Sequence, residues 1–168
     1  MPDGLAHVLF AYAACTALSW RYEWLTTPYR TAAMAGGLIP DISKIGVFVD
    51  AWRVRDAIGL PFSFDALETG GAAAVWVAVG ALLVVPRERR RTAGALAVGA
   101  TTHLLTDAML AKPTGHSYAV AWPLTRYYFP TPGLFKSTEP GALVVALLLA
   151  VGAWLLDRRR TRAAAAER

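Results

Sequence analysis

The chain is poor in charge. Asp, Glu, Lys and Arg make up 17% of its 168 residues, against about 25% in soluble domains. Cysteine is nearly absent too: Cys15 stands alone, which excludes an internal disulfide and a thiolate metal cluster. There is no glycine-rich phosphate loop, no nucleophile elbow and no His-Glu-x-x-His. No repeat or low-complexity linker argues for a second domain. The net charge of +5 could suggest nucleic acid, but the basic runs "RERRR" (87–91) and "RRRTR" (158–162) carry no interleaved aromatics. Both runs abut apolar segments, where the positive-inside rule accounts for them, so no nucleic-acid partner is expected.

What the chain does have is hydrophobic residues, 55% of the total. Residues 4–20, 69–86 and 140–156 are free of Asp, Glu, Lys and Arg, and 92–111 carries only Asp107. A helix needs roughly 17–20 residues to cross a bilayer core about 30 Å thick. These windows therefore predict an all-α, polytopic membrane protein. A weaker stretch, "TAAMAGGLIP" (31–40), adds a thin, tilted or re-entrant helix, better if it starts near Thr27. The expected fold is about five transmembrane or partly spanning helices in one bundle over 1–156, followed by a basic, disordered tail over 157–168. The opening "MPDG" lacks a basic n-region, so the first window is read as a permanent helix. Residues 41–68 and 112–139 read as polar, aromatic connections.

Placing both arginine runs in the cytoplasm orients the helices. With the weak stretch crossing, segments 21–30, 87–91 and 157–168 lie inside and hold 11 of the 17 Lys and Arg. The expectation is a multi-pass cell-membrane protein with its N-terminus outside and its C-terminus cytoplasmic. In that arrangement His7, Asp41, Glu68, His103, Asp107 and His116 collect at the outer side, although only arginine and lysine set the orientation.

His103 and Asp107 are one helical turn apart in "THLLTDAM", and share a face. A charged Asp in the middle of a membrane helix costs about 2.5–3.5 kcal/mol, and such residues usually mark function. The pair can hold a divalent cation, or Asp107 can orient the imidazole. Mixed nitrogen and oxygen ligands suit zinc, manganese or iron. Plainer readings exist for each residue. His103 and Asp107 could pair only with each other, and His7 could be a packed interfacial histidine. Asp41 could be a turn residue, Glu68 a helix N-terminal acid, and His116 a solvated loop residue. Trp122, Tyr127 and Tyr128 fit an interfacial aromatic belt. The convergence of the ionisable groups favours function.

A histidine in the first helix, then "GGLIPD", then "HLLTDAMLAKPTGHSYAVAWPLT", resembles the YdjM-like family of membrane-bound metal-dependent hydrolases over roughly residues 4–125. The resemblance implies a metal site at His7, Asp41, His103 and Asp107. It matches Gly115, Pro123 and Thr125 to the surrounding pattern. Ser43 stands where the family's Pro-Asp-x-Asp has its second acid. "FDALETGG" replaces a stretch where members carry histidine, and Glu68 is the oxygen ligand on offer there. The expectation is a hydrolase of an amphiphilic ester or phosphoester, with Glu68, Asp41 or His116 as general base. Two alternatives keep the same residues without chemistry: a metal or proton carrier, and a structural or regulatory protein with a degenerate site.

Overall fold

The computed structural model describes residues 4–136 and 139–166. Among them it is all-helical, with no strand beyond two isolated bridges, Leu110 to Phe135 and His116 to Pro130. The helices are α1 (Gly4–Ser19), α2 (Thr27–Gly36), α3 (Ala51–Ile58), α4 (Gly70–Leu82), α5 (Arg89–Ala108) and α6 (Gly141–Ala166), with short 3-10 turns at Pro40–Val47, Phe64–Glu68 and Pro86–Glu88. Among the described residues, α6 alone is both long and apolar enough to cross a membrane; α1 and α4 are apolar but shorter.

Local chemistry sets most of these boundaries. α2 starts with Pro28 in its first turn, where the missing N–H costs nothing. The expected window 69–86 yields a helix only to Leu82, because Pro86 forces Val85 into an extended conformation with ψ 147°. The expected connection 41–68 contains α3, a correction whose signal is Gly59: it adopts φ +66° and its N–H donates to the Arg55 carbonyl at 2.9 Å. The tail expected to be disordered continues α6 through residue 166. Arg and Ala are strong helix formers, and the Thr161 hydroxyl donates to the Asp157 carbonyl at 2.9 Å. Residues 1–3, 137–138 and 167–168 of the expected domain and tail lie outside the described residues.

α1 packs on α2, α5 and α6, while α5 packs on α2 and α4. The α2–α5 contact depends on glycine. A Cβ built on Gly99 would run into the Ala33 carbonyl and lie 2.5 Å from the Gly37 amide. One built on Gly36 would run into the Leu96 carbonyl. Such small-residue contacts let helix backbones approach closely, and here they bring the end of α2 onto the middle of α5.

At one end of the bundle, Arg30 Nη1 lies 2.7 Å from Asp157 Oδ2 and Trp20 Nε1 donates to Asp157 Oδ1 at 3.3 Å. The Tyr29 hydroxyl also bonds the Glu88 carboxylate there. The three basic segments 21–30, 87–91 and 157–166 are thereby held together. The outer surface of α6 is strongly apolar, with Val144, Leu147, Leu148, Val151, Trp154 and Leu156 all exposed.

Candidate metal centre

Two helices and a turn build the site at the opposite end. His7 lies in the first turn of α1, His103 and Asp107 in the last two turns of α5, and Asp41 at the start of the 3-10 turn after α2. His7 and His103 are fully buried, and Asp107 is nearly so. Their imidazoles stack with centroids 3.6 Å apart and planes 17° from parallel. His7 Nε2 lies 3.4 Å from Asp107 Oδ1, and His103 Nε2 lies 3.5 Å from Asp107 Oδ2. Asp41 Oδ1 is 3.7 Å from His103 Nε2, and its other oxygen is paired with Lys44 Nζ at 2.7 Å. One ligand atom from each of His7, His103 and Asp107 lies within 4.8 Å of the others.

Hydrogen bonds define which ring nitrogens face inward. His103 Nδ1 is 2.7 Å from the Gly37 carbonyl. A carbonyl only accepts, so this Nδ1 carries a proton and Nε2 keeps its lone pair in the neutral ring. Thr106 Oγ1 contacts the Thr102 and His103 carbonyls at 3.0 and 2.8 Å, and His7 Nδ1 at 3.1 Å. When that proton goes to a carbonyl, Oγ1 accepts from His7 Nδ1–H. His7 Nε2 is then also a free lone pair facing Asp107.

Four buried atoms at this point lack a hydrogen-bond partner among the described residues: His7 Nε2, His103 Nε2, Asp107 Oδ1 and Asp41 Oδ1. Buried polar atoms are normally satisfied. With both rings neutral all four atoms are acceptors, and what satisfies them is either a proton shared with Asp107 or a bound cation. A divalent cation fits that donor set. Outer partners that fix imidazole orientation, here Thr106 and Gly37, are typical of metal-ligating histidines.

Glu68 is buried beside this group and does not belong to it. The Ser43 hydroxyl donates to Glu68 Oε1 at 2.7 Å, and Oε2 has no partner. Burial pushes the Glu68 carboxyl above its ordinary value, against the pull of Ser43 and Tyr118. Thr69 N-caps α4 by accepting from the Ala72 amide at 3.3 Å. The "VAW" stretch (120–122) completes the cap: Gly70 and Gly71 amides donate to the Val120 and Trp122 carbonyls at 2.8 and 2.7 Å. That segment therefore positions Glu68. His116 is not gathered with the others. It is exposed, and its Nδ1 is turned to the Thr114 carbonyl at 2.9 Å within its own loop, which removes the geometric basis for a general-base role.

Sequence reasoning missed Thr106, the Gly37 carbonyl, Lys112 and Tyr118. Lys112 Nζ is buried without a hydrogen-bond partner and sits 3.2 Å from the centroid of the Tyr118 ring. Thr106 was legible in principle, since it precedes Asp107 and lies three residues from His103 on the same helix. Gly37 acts through its backbone and leaves no side-chain signal. No protein-family model, curated protein or solved structure matches the chain.

Proposed function

We propose that this protein is a membrane-embedded, metal-dependent hydrolase related to the YdjM-like enzymes, with its site near the outer face of the bilayer. The observation that carries this reading is the group of four buried, unpartnered donor atoms on His7, His103, Asp107 and Asp41. Neutral nitrogen with carboxylate oxygen favours zinc, manganese or iron.

The membrane setting rests on the apolar length of α6 and the exposed aliphatic surface around it. α1, α4 and α5 complete the crossings, with α2 and its following turn forming a short fifth. The arginine-rich end lies in the cytoplasm by the positive-inside rule. An amphiphilic substrate is supported by an apolar groove of about 530 Å³ between α1, α5 and α6. Phe10, Leu105, Leu148 and Leu149 line it, and so does Thr106, the residue that holds His7.

His7, His103 and Asp107, with Asp41 beside them, would hold a cation, which would supply Lewis acidity and lower the pKa of a water toward neutrality. The protein's own residues do the rest. Thr106 and Gly37 hold the imidazoles in register, and Lys44 restrains Asp41. Glu68 accepts a proton at Oε2, its free oxygen, while Ser43 holds Oε1.

Elemental analysis of the detergent-purified chain tests the reading, with His103→Ala and Asp107→Asn beside wild type and circular dichroism to check folding. Near-stoichiometric zinc, manganese or iron in wild type, lost in both folded variants, is the expected result. Wild type that stays metal-free after reloading overturns it.

A further inference from the structure

A cavity opens at the close of α5, just beyond Asp107 of the candidate metal centre. It measures about 690 Å³ and is lined by Leu110–Thr114, His116–Tyr118 and Tyr128. Two of its wall residues also belong to the surroundings of the acids. Lys112 lies in the electrostatic field of Asp107 and Glu68, and Tyr118 in that of Glu68. The Lys112–Tyr118 contact is thus the partition between the cavity and the centre. The Thr114 and Ser117 hydroxyls in the wall are already bonded, to the His116 and Tyr118 carbonyls at 3.2 and 2.9 Å.

Formal charge points to what the cavity holds. With both histidines neutral, Asp41, Asp107 and Glu68 against Lys44 and Lys112 leave one net negative charge. A divalent cation turns that into one net positive charge. It also draws Asp107 to itself, so the buried Lys112 ammonium loses part of its compensation. A buried charge without a partner is costly, and lysine is a point-charge partner for phosphate.

We propose that this cavity receives a phosphate group of the substrate, anchored by Lys112. The inference rests on the hydrolase reading in that this phosphate belongs to the molecule the metal centre would act on.

The full chain in detergent, freed of metal by chelation and then reloaded, is titrated with inorganic phosphate. A second arm uses mixed micelles carrying phosphatidic acid, against micelles carrying neutral diacylglycerol. Wild type is compared with Lys112→Met and Lys112→Arg, and metal content is measured on every sample. Lys112→Met is expected to bind phosphate about tenfold more weakly or worse, the usual cost of losing a charge-assisted hydrogen bond. Lys112→Arg, which retains the charge, stays near wild type. Preference for phosphatidic acid over diacylglycerol identifies a lipid headgroup as the source, and binding of inorganic phosphate alone identifies a soluble ester. Wild type that binds neither probe, or a metal-replete Lys112→Met with unchanged affinity, overturns the proposal. Lys112-dependent phosphate binding by a chain that never takes up metal keeps the anion site and sinks the hydrolase reading instead.

Discussion

Thr106 shows how much one hydroxyl can decide. Where its proton goes to a backbone carbonyl of its own helix, Oγ1 accepts from His7 Nδ1–H, and that choice turns the His7 lone pair inward. Thr106→Val keeps the shape and removes the acceptor. Loss of an outer partner of this kind typically lowers metal affinity about 10–100-fold. Competition with a chelator of known affinity should show that loss with folding intact; unchanged affinity would mean that Thr106 does not set the tautomer. The same scale explains Ser43. A second acid is missing from "PDIS", but Ser43 reaches Glu68, 25 residues away, and a carboxylate is delivered to that neighbourhood from another element. "PDIS" lacks the second acid of the Pro-Asp-x-Asp pattern in the family that the sequence resembles, and the Ser43–Glu68 contact cannot be read from it, because nothing local links positions 43 and 68.

At the scale of elements, the contact between α2 and α5 places the Gly37 carbonyl against His103. Gly99→Ala inserts a methyl where the Ala33 carbonyl and the Gly37 amide already sit, so α2 must move off α5. Overpacking costs about 1–3 kcal/mol, or roughly 2–4 °C in Tm per kcal/mol for a chain of this size. Both thermal stability and metal content are expected to fall, since the displaced carbonyl is the one that orients His103. A Gly99→Ala protein with wild-type Tm and full metal would show that close packing there is dispensable. Helix positions were largely legible because apolar windows between charges mark them. Their ends were less so: α5 begins at Arg89, inside the run assigned to a loop, since arginine favours helix as much as it favours the membrane edge. α3 was hidden for a different reason. It is only eight residues long and none of them is buried, so it falls below the length at which an apolar window marks a helix.

Across the whole molecule, the two ends differ in kind. Asp157 and Glu88 gather the arginine-rich segments at one end, and the acids and histidines meet at the other. On α5, His103 and Asp107 stand roughly 21 and 27 Å from Arg89 at 1.5 Å per residue. Oriented by its arginines, the protein should expose the 112–136 connection outside the cell. In a Cys15→Ala background, Leu124→Cys places a thiol at a strongly exposed position of that connection. A membrane-impermeant maleimide should label it in intact bacterial cells, while a green fluorescent protein fused after Arg168 fluoresces in the cytoplasm. Protection of Leu124→Cys with labelling only after lysis would invert the orientation.

Composition and spacing were sufficient for the helical class, for the main apolar segments and for singling out His7, His103 and Asp107 among other ionisable groups, while the set that adds Asp41 came from the resemblance. Those three stand out by local cost: polar groups are expensive in an apolar helix, so the few kept there are conspicuous. Whether His7 meets Asp107 at all depended on α1 entering from the same end as the close of α5, which is a property of packing. Tertiary structure alone also chose the inward nitrogens, joined Ser43 to Glu68 and left the Lys112 ammonium buried between the cavity and the acids. These are contacts between elements far apart in the chain, governed by backbone carbonyls and close glycine approaches that carry no side-chain signature.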